Sequence, residues 1–193
     1  MTGKTDIPAQ LRAIKQHLRT IMNGPVSASM REKGLTYKVN FGVEVPRLAE
    51  WAQTLPHDYQ LAAALWKEDI RECRILAAML MPADCFDAEL AEVWVEQMRF
   101  AEEAELTVMN LFSRTEWAST KAFEWIAASD TMHQLCGYLL LARLFMKGMR
   151  PTERDARELT DQAQSLDADA PQALRRAAAN AVNKLQLIEE GWL

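Results

Sequence analysis

Three carboxylates crowd one short segment of the 193-residue chain: Glu102, Glu103 and Glu105 in the run Ala101-Glu102-Glu103-Ala104-Glu105. On a helix, Glu102 and Glu105 share a face. A like-charged neighbour raises a carboxylate's pKa, which suits proton transfer, and a carboxylate in a low-dielectric site stabilises developing positive charge. The plainer reading is a set of acids at a helix N-terminus, favoured by the helix dipole. A second set is cationic: Lys38, Arg47, Arg71, Arg74, Arg175, Arg176 and Lys184. On one surface they would contact phosphates, which needs charge more than sequence specificity. The plainer reading is a solvated face with local ion pairs, such as Arg71 with Glu68 or Glu72.

The remaining reactive side chains are sparse. His17, His57 and His133 share no ligand spacing, and His133 alone stands at the start of a candidate inner helix. Cys73, Cys85 and Cys136 are isolated and odd in number, which argues against a disulfide framework. Gly-rich phosphate loops, His-Glu-x-x-His helices and Gly-x-Ser-x-Gly elbows are absent from the sequence. No metal and no cofactor are expected.

The elements that would position these residues read as helices throughout. Seven glycines and seven prolines are too few for a strand-and-hairpin protein, and 49% of residues are hydrophobic. Ile7, Leu11, Ile14, Leu18 and Ile21 recur at helical steps. Residues 23–40 read as a break, punctuated by Asn23-Gly24-Pro25. From Pro46 onward, helical patterns of roughly 9–15 residues alternate with short turns, the rhythm of antiparallel helix pairs. Four second helices begin near DIRECRILAAML, EEAELTVMNLF, TMHQLCGYLLLARL and PQALRRAAANAVNKL, roughly 30–40 residues apart. The expected fold is all-α, an α-α superhelix (solenoid) of HEAT- or armadillo-like helix pairs, whose second helices line a concave binding face. Residues 1–35 would form an N-terminal helix and connector packing on a repeat domain of residues 36–193.

Charge is uneven. Residues 1–50 hold eight Lys/Arg against four Asp/Glu, while residues 86–105 hold seven acids against Arg99 alone. The overall charge of −5 argues against a generally nucleic-acid-sticky surface but not against a local basic one. Met1 to Leu11 has no apolar signal region, and the apolar run Leu135 to Met146 contains Arg143 and is too short to span a bilayer. A cytoplasmic protein with no membrane contact is expected. Trp51, Trp66, Trp94, Trp117 and Trp125 and the methionines read as core, and Trp192 as a docking contact or an exposed side chain.

Several segments together resemble the AlkD-like DNA alkylation repair family of HEAT-like solenoids. They are Phe41-Gly42-Val43-Glu44-Val45-Pro46-Arg47-Leu48, then Leu61-Ala62-Ala63-Ala64-Leu65-Trp66 with Arg71-Glu72 and Leu76-Ala77, then Trp125-Ile126-Ala127 with Ser129-Asp130, and the closing helix after Pro171. The resemblance runs from about residue 36 to 187. It implies excision of cationic alkylated purines from DNA, with an Asp and two Trp at the lesion and an Arg on the backbone. Carried onto this chain, the catalytic carboxylate falls at Glu105, with Glu102 beside it. The lesion-pocket positions fall at Ala101, Cys136 and Asn180, where the family has Trp, Arg and Trp. The scaffold is kept, and one of the four site positions keeps its charge, so impaired catalysis is expected.

Three functions fit. The first is a base-excision glycosylase of altered specificity using Glu105. The second is a non-catalytic solenoid that binds double-stranded DNA, damaged or branched. The third is a protein-interaction scaffold, favoured by the acidic stretch 86–105.

Overall fold

The computed structural model describes residues 6–191. Eleven α-helices and two 3-10 turns account for the regular structure of those residues, joined by one isolated parallel bridge, Val39 to Ile70. The chain divides into two compact units, Met1–Cys85 and Phe86–Leu193.

The first unit holds α1 (Ile7–Thr20), α2 (Gly24–Glu32), α3 (Val45–Ala52), α4 (Tyr59–Trp66) and α5 (Arg71–Leu80). Asp6 and Asp58 cap their helices by accepting the Ala9 and Leu61 backbone N–H groups at 3.0 and 2.8 Å; each satisfies a donor that the helix cannot. Helix α4 packs on α1 and α5, and α3 packs on α5. Helix α2 lies where the sequence reads as a break. Asn23 is its N-cap, accepting from the Val26 N–H at 3.3 Å, and Pro25 stands in the first turn. Proline there loses only an N–H that the helix would leave unpaired.

The loop before α3 is locked from two sides. Glu72, wholly buried, accepts the Phe41 and Val43 N–H groups at 3.1 and 3.2 Å. Arg71 donates to the Val43 carbonyl at 2.9 Å and pairs with Glu72 at 3.2 Å. Gly42 between them has φ +71°, and a Cβ there would meet the Asn23 carbonyl oxygen at 2.2 Å. Only glycine fits such a position without strain.

The second unit holds α6 (Ala88–Glu96), α7 (Ala101–Asn110), α8 (Ala118–Ile126), α9 (Thr131–Met146), α10 (Glu153–Gln164) and α11 (Gln172–Glu189). Helix α9 is the hub. It packs against α7 on one side, α11 on the other, and α8 and α6 behind, while α10 covers α8 and α11. The second helices α7, α9 and α11 thus form one layer and the first helices another, as paired helical repeats require. Phe86, Phe112, Trp94, Trp117 and Trp125 fill the space between with ring centroids 4.9–6.2 Å apart. Trp117 and Trp125 also find acceptors for their indole N–H groups, the Phe86 carbonyl and Glu92. Trp94 and Trp125 are core, as the sequence suggested, and Trp117 is half-buried beside them.

Candidate functional site

The acidic segment separates into distinct roles once folded. Glu103 is buried, and its carboxylate accepts the Arg99 and Phe100 N–H groups at 2.7 and 3.3 Å, closing the N-terminus of α7. Glu105 points the other way. It lines a pocket of about 180 Å3 with Val108 and Met109 of α7, Leu139, Ala142, Arg143 and Met146 of α9, and Asn180 of α11. The spacing explains the set: 105, 108 and 109 share one face of α7, and 139, 142, 143 and 146 share one face of α9. Partial burial, and then the charge of Glu102, raise the Glu105 carboxyl above its ordinary value.

Of the four carried-over positions, the fold brings Glu105 and Asn180 to this pocket. Ala101, one turn before Glu105 on α7, is half-buried. Cys136 is a correction. It is wholly buried with its Sγ 3.9 Å from the Met98 sulfur, so it meets no ligand, and burial raises its thiol pKa well above the ordinary cysteine value. The arginine that reaches the pocket is Arg143, two turns further along α9. Sequence reading missed it because only the packing of α7 on α9 shows which turn of α9 faces Glu105.

The expected phosphate contacts also separate. Arg71 is a correction. Its side chain is 1% exposed and committed to Val43 and Glu72, out of reach of a phosphate. Arg74 lays its guanidinium 5.0 Å from the centre of the Trp66 ring. Lys38 and Arg47 are exposed on the first unit, Arg47 beside Asn23 and Gly42 in a small polar hollow. On α11, Arg176, Asn180 and Lys184 recur every fourth residue, the face that reaches the Glu105 pocket. Arg175 lies on another face and lines a separate groove of about 440 Å3 against α10, with Asp167 and Asn183.

Of the cations near this end of α9, Arg143 lines the Glu105 pocket, and Lys147 follows it one turn later. The Arg143 guanidinium makes no hydrogen bond or ion pair among the described residues. Lys147, at the end of α9, donates to the Ser113 carbonyl at 2.6 Å and to its hydroxyl at 3.0 Å. Burial, and then the charges of Arg143 and Arg114, pull its pKa below the usual lysine value.

A fourth cluster lies at the other end of α9. Glu92 of α6 accepts from Trp125 Nε1 at 3.0 Å and pairs with Lys121 at 2.9 Å. His133 lies between Glu92, 2.9 Å from its Nε2, and Asp130, 2.7 Å from its Nδ1. Asp130 also caps α9 through the Met132 and His133 N–H groups. His133 therefore ties α9 to α6 through Glu92, and Glu92 ties both to α8 through Trp125 and Lys121.

A family model described as DNA alkylation repair enzyme matches residues 14–187. The chain belongs to that family. One solved structure superposes on this DNA alkylation repair family member with a TM-score of 0.80, at 16% identity, covering 93% of this chain and 79% of its own. It is described as representing a new family of proteins related to the HEAT-like repeat DNA glycosylases with affinity for branched DNA structures. The likeness shows the fold, an all-α HEAT-like repeat. Curated proteins give no match.

Proposed function

We propose that this chain binds double-stranded DNA through the exposed face of α7, α9 and α11, and that binding rather than base excision is its principal activity. One observation carries the reading. Glu105, Asn180 and Arg143 converge on a single pocket whose walls are otherwise aliphatic, and further cations stand within a turn of Arg143 and Asn180. Arg143 in the pocket, Lys147 one turn on with Arg114 near it, and Arg176 and Lys184 one turn either side of Asn180 supply the field that a phosphate backbone needs. Family membership supports a DNA partner, and so does the DNA affinity described for the structural neighbour.

The same pocket lacks what excision of a cationic purine needs. Its lining includes no aromatic face to hold the base by cation–π attraction. Trp94, Trp117 and Trp125 are packed between its helices instead. Catalysis by a carboxylate depends on placement to about 1 Å, and Glu105 is longer by one methylene than the aspartate the resemblance implies. Excision through Glu105 is the second reading, favoured by its raised pKa in a partly desolvated site. The scaffold reading loses support because much of the acidic stretch is spent inside the fold: Asp87 caps α6, Glu92 joins Trp125 and Lys121, and Glu103 closes α7. No described helix is long and apolar enough to cross a membrane, and we place the activity on cytoplasmic DNA.

The test is direct. The protein is incubated with N7- or N3-methylated duplex, and both bound DNA and released free base are measured, with Glu105→Gln alongside. Binding without release above background is expected. Release that Glu105→Gln abolishes would move the function to excision, and no bound DNA would defeat both DNA readings.

A further inference from the structure

Helix α11 has three distinct faces. Leu174, Ala177, Ala181 and Leu185 are buried. Arg176, Asn180 and Lys184 mark the face that reaches the Glu105 pocket. The third face holds Arg175, Ala178, Ala179 and Val182, which line the groove of about 440 Å3 with Ala163 and Leu166 from the α10 side. It lies roughly a third of a turn from the pocket face. The helices most closely packed on α11 are α9 and α10, and the groove stays open beside them, with Ala179 exposed and Val182 half-buried.

This open flank is charged at its two ends, with opposite signs. Arg175, Val182 and Glu189 recur every seventh residue, so they stand in one row along α11. Arg175 and Glu189 are both exposed, and neither side chain has an ion partner among the described residues. Asp167, also on the groove, makes no ion pair with Arg175. Whatever covers the row must offer an aliphatic centre, an anion for Arg175 and, about 21 Å away along the helix, a cation for Glu189. The same row read in the opposite direction has that pattern. With a two-fold axis through Val182, each Arg175 faces the Glu189 of the other copy, and Val182 meets Val182. A parallel pairing would set Arg175 against Arg175, and like charges in contact disfavour it.

We infer that a second copy of this chain docks on this flank of α11, forming an antiparallel, isologous dimer with Arg175–Glu189 ion pairs at both ends and Val182 at its centre. Such self-complementarity is what a two-fold interface requires. Contact limited to one helical row and its groove is small for an interface, so the dimer is weak and reversible. Arg175, which the sequence marks for a phosphate, then has a carboxylate of a second copy as its partner. The pocket face of α11 stays free, and the dimer does not depend on DNA binding.

The test is sedimentation of the whole chain from about 5 to about 500 μM, the range in which weak complexes dissociate. The natural protein is expected to shift reversibly from monomer to dimer. Arg175→Glu and Glu189→Arg each set like charges together twice per dimer, and each is expected to weaken it about tenfold or more. The double variant Arg175→Glu, Glu189→Arg restores the opposition of charge and should recover the natural affinity to within about threefold. A separate arm uses Val182→Cys with Cys85→Ser, which removes the exposed native thiol. Mild oxidation should link two copies of it through a disulfide and leave Cys85→Ser alone unlinked. A monomer at every concentration, larger open assemblies, a dimer indifferent to both single reversals, a double variant no stronger than the singles, or no cross-link at position 182 overturns the inference. None of these results bears on whether the chain binds DNA.

Discussion

At the scale of single residues, the side chains that carry the family resemblance build the fold rather than the chemistry. Gly42 and the Arg71–Glu72 pair were legible as a motif, but their task is to lock the Phe41–Val43 loop. Arg71→Ala would leave the Glu72 charge buried without its partner. A loss of about 3–5 kcal/mol is expected, read as a lowered urea midpoint. The Glu92 cluster makes a second prediction. Burial alone would raise the Glu92 carboxyl, but hydrogen bonds from Lys121, Trp125 and His133 and the Lys121 charge outweigh it and hold it below the ordinary value. Asp130 is likewise lowered, its burial outweighed by His133 and the helix N–H groups. Both carboxyls are therefore more acidic folded than unfolded. Their stabilisation is full above the ordinary carboxylate range and is lost as pH falls through the folded values. Thermal melts should show stability falling below about pH 4.5, and Glu92→Gln should flatten that fall and cost about 1–3 kcal/mol at neutral pH. Sequence alone could not sort Glu103 from Glu105, because which of two neighbouring acids turns inward is decided by what α7 packs against.

At the scale of elements, helical periodicity was legible nearly everywhere, and the failure at α2 has a plain cause. Asn-Gly-Pro punctuates a loop, but asparagine is also a good N-cap and proline a good first-turn residue. The choice between them was made by contacts distant in sequence, including the Asn23 N–H to Phe41 carbonyl bond at 2.8 Å. Another element-scale feature escaped the sequence reading altogether. Gly137 lets α9 approach α8 closely: a Cβ there would lie 2.8 Å from the Ile126 nitrogen and 2.9 Å from the Ala122 carbonyl oxygen. Backbone atoms cannot swing aside as side chains do. Gly137→Ala is expected to push α8 and α9 apart and lower stability by about 1–3 kcal/mol despite alanine's better helix propensity. Gly24→Ala, where a Cβ meets nothing within 4 Å, is the control, and its melting temperature should hold or rise.

At the scale of the whole molecule, net charge misleads. The chain is acidic, at −5, yet several of its acids are engaged in caps and ion pairs while Arg143 and its neighbours at the pocket are not. The helix-pair architecture and the place of Glu105 could be read from sequence and resemblance. Arg143 and Met146 could not, since they meet the pocket only through the packing of α7, α9 and α11. The central claim is that this face binds DNA by neutralising phosphates. Its most direct test is duplex affinity across a salt series for the natural protein and the Arg143→Gln, Arg176→Gln double variant. Each phosphate contact contributes about 0.9 to the slope of log affinity against log salt. The account predicts a steep loss of affinity with salt, and a slope shallower by about 1.8 in the variant. Affinity indifferent to salt, or a variant that matches the natural protein in both affinity and slope, would contradict it.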